Sequence, residues 1–201
     1  MLHVGLTGGL ASGKSLVGQA LAELGCHFIE ADSLGHQVLL PDGEAYQGVV
    51  REFGPGILES DGTIDRRKLA AEVFGKPDRL AALNSLVHPP VIRLEEQLAA
   101  GFALRDPDGI VVVAAAILIE TGRYRCFQKV ILAVCRPEQQ IERAMHRDGL
   151  SREEVLARLA RQLPLEEKRK HADYIIDTSG TKEETLQQVR DTYNLLRSVP
   201  Q

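Results

Sequence analysis

Residues 8–15 read Gly8-Gly9-Leu10-Ala11-Ser12-Gly13-Lys14-Ser15, which places glycines, a lysine and a hydroxyl at the spacing G-x-x-x-x-G-K-[ST]. A loop of this kind can turn successive backbone N–H groups toward a polyphosphate, and a helix N-terminus behind it adds partial positive charge. Lys14 is then expected to reach the β- and γ-phosphates, and the Ser15 hydroxyl to ligate Mg2+. Gly9, Leu10, Ala11, Ser12, Gly13, Lys14, Ser15 and Leu16 form the expected nucleotide contact. Phosphoryl transfer asks a protein mostly for positioning and charge neutralisation. A transfer to a hydroxyl also needs a carboxylate near the attacking oxygen. Asp32, with Glu30 as its rival, is the candidate; the alternative for Asp32 is to cap a helix running from Ser33 toward Leu39. Arg143 and Arg147, four residues apart, fall on one helical face that could stabilise charge on the transferring group, or simply be a solvated basic face.

These residues need a frame. His3 to Thr7 reads as a buried strand, and after the loop Val17, Ala20, Leu21 and Leu24 recur at helical spacing before Gly25. Cys26 to Ile29, Ile110 to Ile119, Val130 to Cys135 and Tyr174 to Ile176 are four further strand candidates. Strands alternating with helices predict an α/β fold with a five-stranded parallel sheet flanked by helices. A last helix opens at Thr181 with Glu184 as a capping box, and its apolar face is Leu186, Val189, Tyr193 and Leu196.

Two stretches fall outside that pattern. Residues 33–108 look helical, with candidates over Arg66–Phe74 and Arg79–Val87; Pro89-Pro90 should break the second before Val91, Leu94 and Leu98 resume the period. Residues 149–171 are rich in Arg, Glu and Lys, start a helix at Ser151 with Glu154 as reciprocal cap, and are interrupted at Pro164. We expect a nucleotide-binding core of 1–32, 109–148 and 172–201, a helical acceptor-binding insertion, and a charged helical lid. A solvated helical hairpin is the plainer reading of the lid segment. The combination points to a small-molecule kinase.

The chain of 201 residues is 44% hydrophobic with a net charge of −4. That is enough for one core plus an insertion, with no basic footprint for nucleic acid. Cys26, Cys126 and Cys135 form no C-x-x-C pair and sit among apolar neighbours, so buried reduced thiols and a cytoplasmic location are expected. The chain enters its first strand with no cationic leader, and its longest apolar run is too short to span a bilayer, so neither export nor membrane residence is expected.

Beyond the phosphate loop, several unlinked motifs carry a resemblance. They are Thr7-Gly8-Gly9, the acidic pair around Ala31, Asp61-Gly62-Thr63-Ile64-Asp65-Arg66-Arg67 and Leu83-Asn84-Ser85-Leu86-Val87-His88-Pro89. Then follow Ile117-Leu118-Ile119-Glu120, Arg143 with Arg147 and Asp148, and Ala172-Asp173-Tyr174-Ile175-Ile176-Asp177. From Leu6 to about Gly180 the chain resembles the dephospho-coenzyme A kinase family, which implies a P-loop NTPase fold and ATP-dependent phosphorylation of the 3′-hydroxyl of dephospho-CoA. The resemblance implies that Asp32 is the base, that Lys14, Arg143 and Arg147 serve the phosphates, and that Ser15 serves Mg2+. It places Thr7, Asp32, His88, Leu118 and Glu120 at the acceptor. Nucleic acid and membrane are not expected partners.

The chain departs from the family pattern at Ala11 (usually glycine), Leu16 (threonine), Glu30 (aspartate), Ala116 (proline) and Thr178 (asparagine). None of these removes a charge the chemistry needs. Rival readings are another kinase on the same core, acting on a nucleoside monophosphate or a sugar, and a nucleotide-dependent switch ATPase. The 61–67 and 84–89 motifs argue against the first, and the absence of a switch-like loop against the second.

Overall fold

A computed structural model describes residues 1–200. Strand β1 (Leu2–Gly8) leads through the glycine loop into helix α1 (Lys14–Glu23), and β2 (His27–Glu30) follows. Helices α2 (Ala31–Gln37), α3 (Tyr46–Phe53), α4 (Arg66–Val73) and α5 (Pro77–Arg105) come next. The chain then returns to β3 (Ile110–Ala114), β4 (Lys129–Val134), α6 (Pro137–Asp148), α7 (Arg152–Leu159), α8 (Leu165–Arg169), β5 (Tyr174–Asp177) and α9 (Lys182–Arg197).

All strand pairs are parallel, in the order β2-β3-β1-β4-β5. Parallel strands covered on both faces must be apolar throughout, and β3 is buried at all five positions. Val17, Ala20 and Leu21 of α1 and Val189 and Leu196 of α9 pack with Leu2, Val4, Leu6, Val112 and Ile131 into one core. Gly18 is needed where α1 crosses β2, because a Cβ there would enter the Phe28 ring. The chain leaves β1 for β2 on one side and β3 for β4 on the other. The carboxyl ends of the adjacent β1 and β3 therefore flank the crevice where open parallel sheets bind ligands.

Compact packing divides the chain into two units: residues 1–30 with the chain from Gly101 onward, and Ala31–Ala100. In the second unit, Tyr46 Oη donates to the Gly62 carbonyl, and an antiparallel bridge joins Leu58 to Ile64. Arg79 lies over the Phe53 ring at 4.3 Å and pairs with Glu52 at 2.9 Å.

Three expectations are corrected. The apolar run Ile110 to Ile119 is not one strand: β3 stops at Ala114, and Thr121 and Gly122 amides close turns onto Ile117 and Ile119. Leu118 and Ile119 are apolar because the turn itself is buried, and apolarity alone cannot separate a buried turn from a buried strand. Pro89-Pro90 does not break the second insertion helix. The helix α5 runs 29 residues through the pair, since two adjacent prolines forfeit only the bonds to Ser85 and Leu86 and leave the ladder intact on either side. Its buried positions are Pro90, Val91, Glu95 and Ala99, while Leu98 is exposed. Asp32 lies inside the first turn of α2, which starts at Ala31. Cys126 is exposed, unlike Cys26 and Cys135, because it closes a 3-10 turn at the surface. Burial pushes the Cys26 thiol up to about 12, so it stays protonated and inert.

Candidate active site

The loop geometry follows from its glycines. A Cβ on Gly8 would collide with the Ser12 hydroxyl and lie 2.8 Å from the Ala133 carbonyl oxygen. Gly13 has φ +86° and abuts Thr178, whose atoms lie 2.8–3.0 Å from where its Cβ would be. Neither position tolerates a side chain. Gly13 is the residue before α1 and offers no side-chain cap, so the first amides of the helix keep donors that a phosphate can take. Lys14 opens the helix and Ser15, exposed, follows it. The residues suit a Mg2+ ion, which typically takes few protein oxygens and completes its shell with phosphates and water. Ser15 would be the protein ligand. Among the described residues no cluster of three or more His, Cys, Asp or Glu offers a dedicated metal cage.

Ala11 has φ +55°, the single positive φ outside glycine among the described residues. A left-handed conformation costs an L-residue roughly 1–2 kcal/mol. The loop keeps it because Leu10 and Ala11 pack against the cluster Ile141, Ala144 and Val155, which ties the loop tip to α6 and α7. Ala11→Gly is expected to raise stability by about 0.5–1 kcal/mol, a gain of about 1–4 °C in melting temperature. An unchanged or lower melting temperature would contradict the strain.

Behind the loop stands a brace. Thr178, just past β5 and 3% exposed, donates its hydroxyl to the Ser12 carbonyl at 3.0 Å. The same hydroxyl accepts from Arg143 Nη1 at 3.0 Å, while Arg143 Nη2 donates to the Thr178 carbonyl at 2.8 Å. The departure at Thr178 is thus a working contact, holding the loop to the sheet and Arg143 to the loop. Next to it, Asp177 accepts the Ser179 amide at 2.8 Å, and the hydrogen bonds from Ser179, with the nearby Arg169 and Arg136 charges, hold its carboxyl below the usual carboxylate range. A folded pKa below the unfolded one stabilises the fold above the unfolded value of about 3.9, and that stability is lost as pH falls through the folded value. In urea titrations, Asp177→Asn should therefore lower the midpoint at pH 6, and the gap from wild type should close as pH falls through the lowered folded value. A gap independent of pH would contradict the assignment.

Arg143 and Arg147 stand four residues apart on α6 and take different partners. Arg147 turns to its neighbour Asp148, with contacts of 2.8 and 3.1 Å, and Asp148 also faces Arg158 at 3.6 Å. The adjacent carboxylate claims the guanidinium, and this hydrogen bonding raises the Arg147 pKa. Thr7 and Leu118 are fully buried. The Thr7 hydroxyl donates to the Ala116 carbonyl, and the Leu118 side chain packs where Gly5 has no Cβ, so neither presents its side chain at the surface. Glu120 lies six residues beyond β3, with Oε1 accepting the Leu163 amide at 3.1 Å and facing Lys168 Nζ at 2.7 Å. Asp32 is exposed two residues after β2, and His88 stands half-buried inside α5 rather than at a helix end.

In the 61–67 motif the acids are spent locally. Asp61 accepts the Thr63 amide and hydroxyl at 2.9 and 2.6 Å, and Asp65 caps α4 through Arg67 and Lys68. Gln162 and Lys168 were not expected. Gln162 Oε1 accepts the Leu10 amide of the phosphate loop at 2.9 Å, and Lys168 is fully buried. Both fall in a segment whose charge-rich composition reads as solvated, and no periodicity singles them out.

A parallel sheet with a glycine loop between its central strand and first helix, and a helical segment packed over the loop tip, defines a P-loop kinase. Solved structures agree. One from Thermus thermophilus superposes with a TM-score of 0.85 at 33% identity, covering 99% of this chain and 98% of that one. A dephospho-CoA kinase from Campylobacter jejuni gives 0.63 at 26%, covering 96% of each chain. A shikimate kinase from Bacteroides thetaiotaomicron, at 15% identity and a TM-score of 0.52 over 97% of this chain and 98% of that one, shares the fold alone. The family model for dephospho-CoA kinase matches residues 2–184, and a dephospho-CoA kinase of Geobacillus kaustophilus is 42% identical over 94% of this chain and 93% of its own. The chain belongs to the dephospho-CoA kinase family.

Proposed function

We infer that this chain transfers the γ-phosphoryl group of ATP to the 3′-hydroxyl of dephospho-CoA, giving coenzyme A and ADP. The observation that carries the reading is a family match over 2–184 on a chain whose phosphate loop is intact. In this reading, the loop amides and Lys14 hold the β- and γ-phosphates, and Arg143, tied to the loop through Thr178, is the guanidinium that serves them. Mg2+, held by Ser15 and the phosphates, would supply charge neutralisation during transfer. Asp32 accepts the proton of the 3′-hydroxyl as its oxygen attacks, and the bond to the ADP oxygen breaks. His88 is proposed to contact the acceptor. Arg147 is proposed to act from the lid side, through Asp148 and Arg158. Among the described residues no helix is long and apolar enough to cross a membrane, and we place the activity in the cytoplasm, where ATP is plentiful.

The test is ADP release with Mg-ATP and no acceptor, dephospho-CoA, or a panel of nucleoside monophosphates. Release only with dephospho-CoA is the expected outcome. Release with a monophosphate, or with no acceptor at all, would overturn the acceptor assignment.

A further inference from the structure

Lys168 is a lysine with none of its side chain exposed, placed on the short helix α8. Its ammonium donates to the Ala116 carbonyl at 3.1 Å and faces Glu120 Oε1 at 2.7 Å. The same Glu120 oxygen accepts the Leu163 amide, and Glu120 Oε2 is buried with no hydrogen-bond partner among the described residues. Ala116 O also accepts from Thr7, the residue just before the loop. A pair between the fully buried Lys168 and the partly exposed Glu120 therefore fastens the segment that follows α7 to the turn after β3. One residue before Leu163, Gln162 turns its amide oxygen onto the Leu10 N–H, next to the strained Ala11.

We propose that the Lys168–Glu120 pair is a latch that positions Gln162 on the phosphate loop, so that the lid excludes water from the γ-phosphate until the acceptor hydroxyl attacks. The proposal rests on the kinase reading given above. Lys168 is withdrawn from water, whereas the Glu120 side chain is 17% exposed, so the pair is held by the ammonium's need for a partner. Without Lys168, Glu120 loses the cation that ties it to α8 and turns to water through its exposed edge, which frees the turn from the lid base. Gln162 then leaves Leu10, and a water reaches the space from which the lid should exclude it. Lys168, Glu120 and Gln162 act here as positioning residues, with no contact to the reacting atoms.

The experiment measures ADP released per CoA formed, with kcat and KM for both substrates, in wild type, Lys168→Met and Gln162→Leu. Wild type is expected to give about one ADP per CoA. Lys168→Met should lower kcat by about 10–100-fold, the scale of a small misplacement of reacting groups, and raise the ratio several-fold as ATP is hydrolysed without acceptor. Gln162 is half-buried, so Gln162→Leu should keep the wild-type melting temperature and still raise the ratio. It decides the matter if Lys168→Met fails to fold. A merely structural pair would lower the melting temperature and leave the ratio at one. If Gln162→Leu, and Lys168→Met where it folds, keep that ratio, the latch is refuted. A wild-type chain that forms no CoA is recognised before any variant is compared, and it removes the kinase reading and the latch together.

Discussion

Lys14→Ala is expected to lower turnover by roughly 10²–10³-fold or more, the usual effect of deleting one preorganised charge donor from a water-excluded site. Gly13, with no side chain to cap α1, leaves the helix amides for the phosphates, and Lys14 is the first residue of that helix. Alanine there keeps the helix, since it is the best helix former, so the melting temperature should hold. The amides would still bind nucleotide, with the β- and γ-phosphates losing their mobile positive charge. The loss should therefore fall mainly on kcat, as expected for an interaction that strengthens as charge develops. Near-wild-type turnover would remove Lys14 from the reaction.

Asp32→Asn is the second large effect. Asn keeps the size and one acceptor oxygen but cannot take a proton, and loss of a positioned general base typically costs 10²–10⁴-fold. Asp32 is exposed in the first turn of α2, where a negative charge is favoured by about 0.3–1 kcal/mol. The variant should therefore fold almost as well as wild type. ATP affinity should stay at the wild-type value while transfer is lost. If ATP binding falls and the fold is intact, Asp32 belongs to the nucleotide site and Glu30 becomes the candidate base.

The phosphate loop was legible because its chemistry is local: glycines where a Cβ would clash, then a lysine and a hydroxyl at fixed offsets. The capping boxes at Ser151 and Thr181 were legible for the same reason, and both form as read. Periodicity placed α1 and α9 and each of the five strands near its observed position. It overran β3 because a buried turn is as apolar as a buried strand. It split α5 because a proline pair is a strong local signal, and a 29-residue ladder outlasts two missing donors. Long-range partners were beyond local reading. Arg143 goes to a threonine 35 residues away, and Glu120 to a lysine on α8. Asp61 and Asp65 of the most distinctive insertion motif serve a turn and a helix cap. Such a motif can mark a family through its fold and still hide which residues touch the substrate.

The central claim is the identity of the new bond, and the most direct measurement follows phosphorus. Mg-ATP and dephospho-CoA are incubated with the protein, and the products are resolved by phosphorus NMR and by mass. The account predicts a new ribose 3′-phosphomonoester signal growing in equal amount with ADP, and a product with the mass and retention of coenzyme A. Inorganic phosphate in place of that signal, or a phosphomonoester at another position, would contradict it.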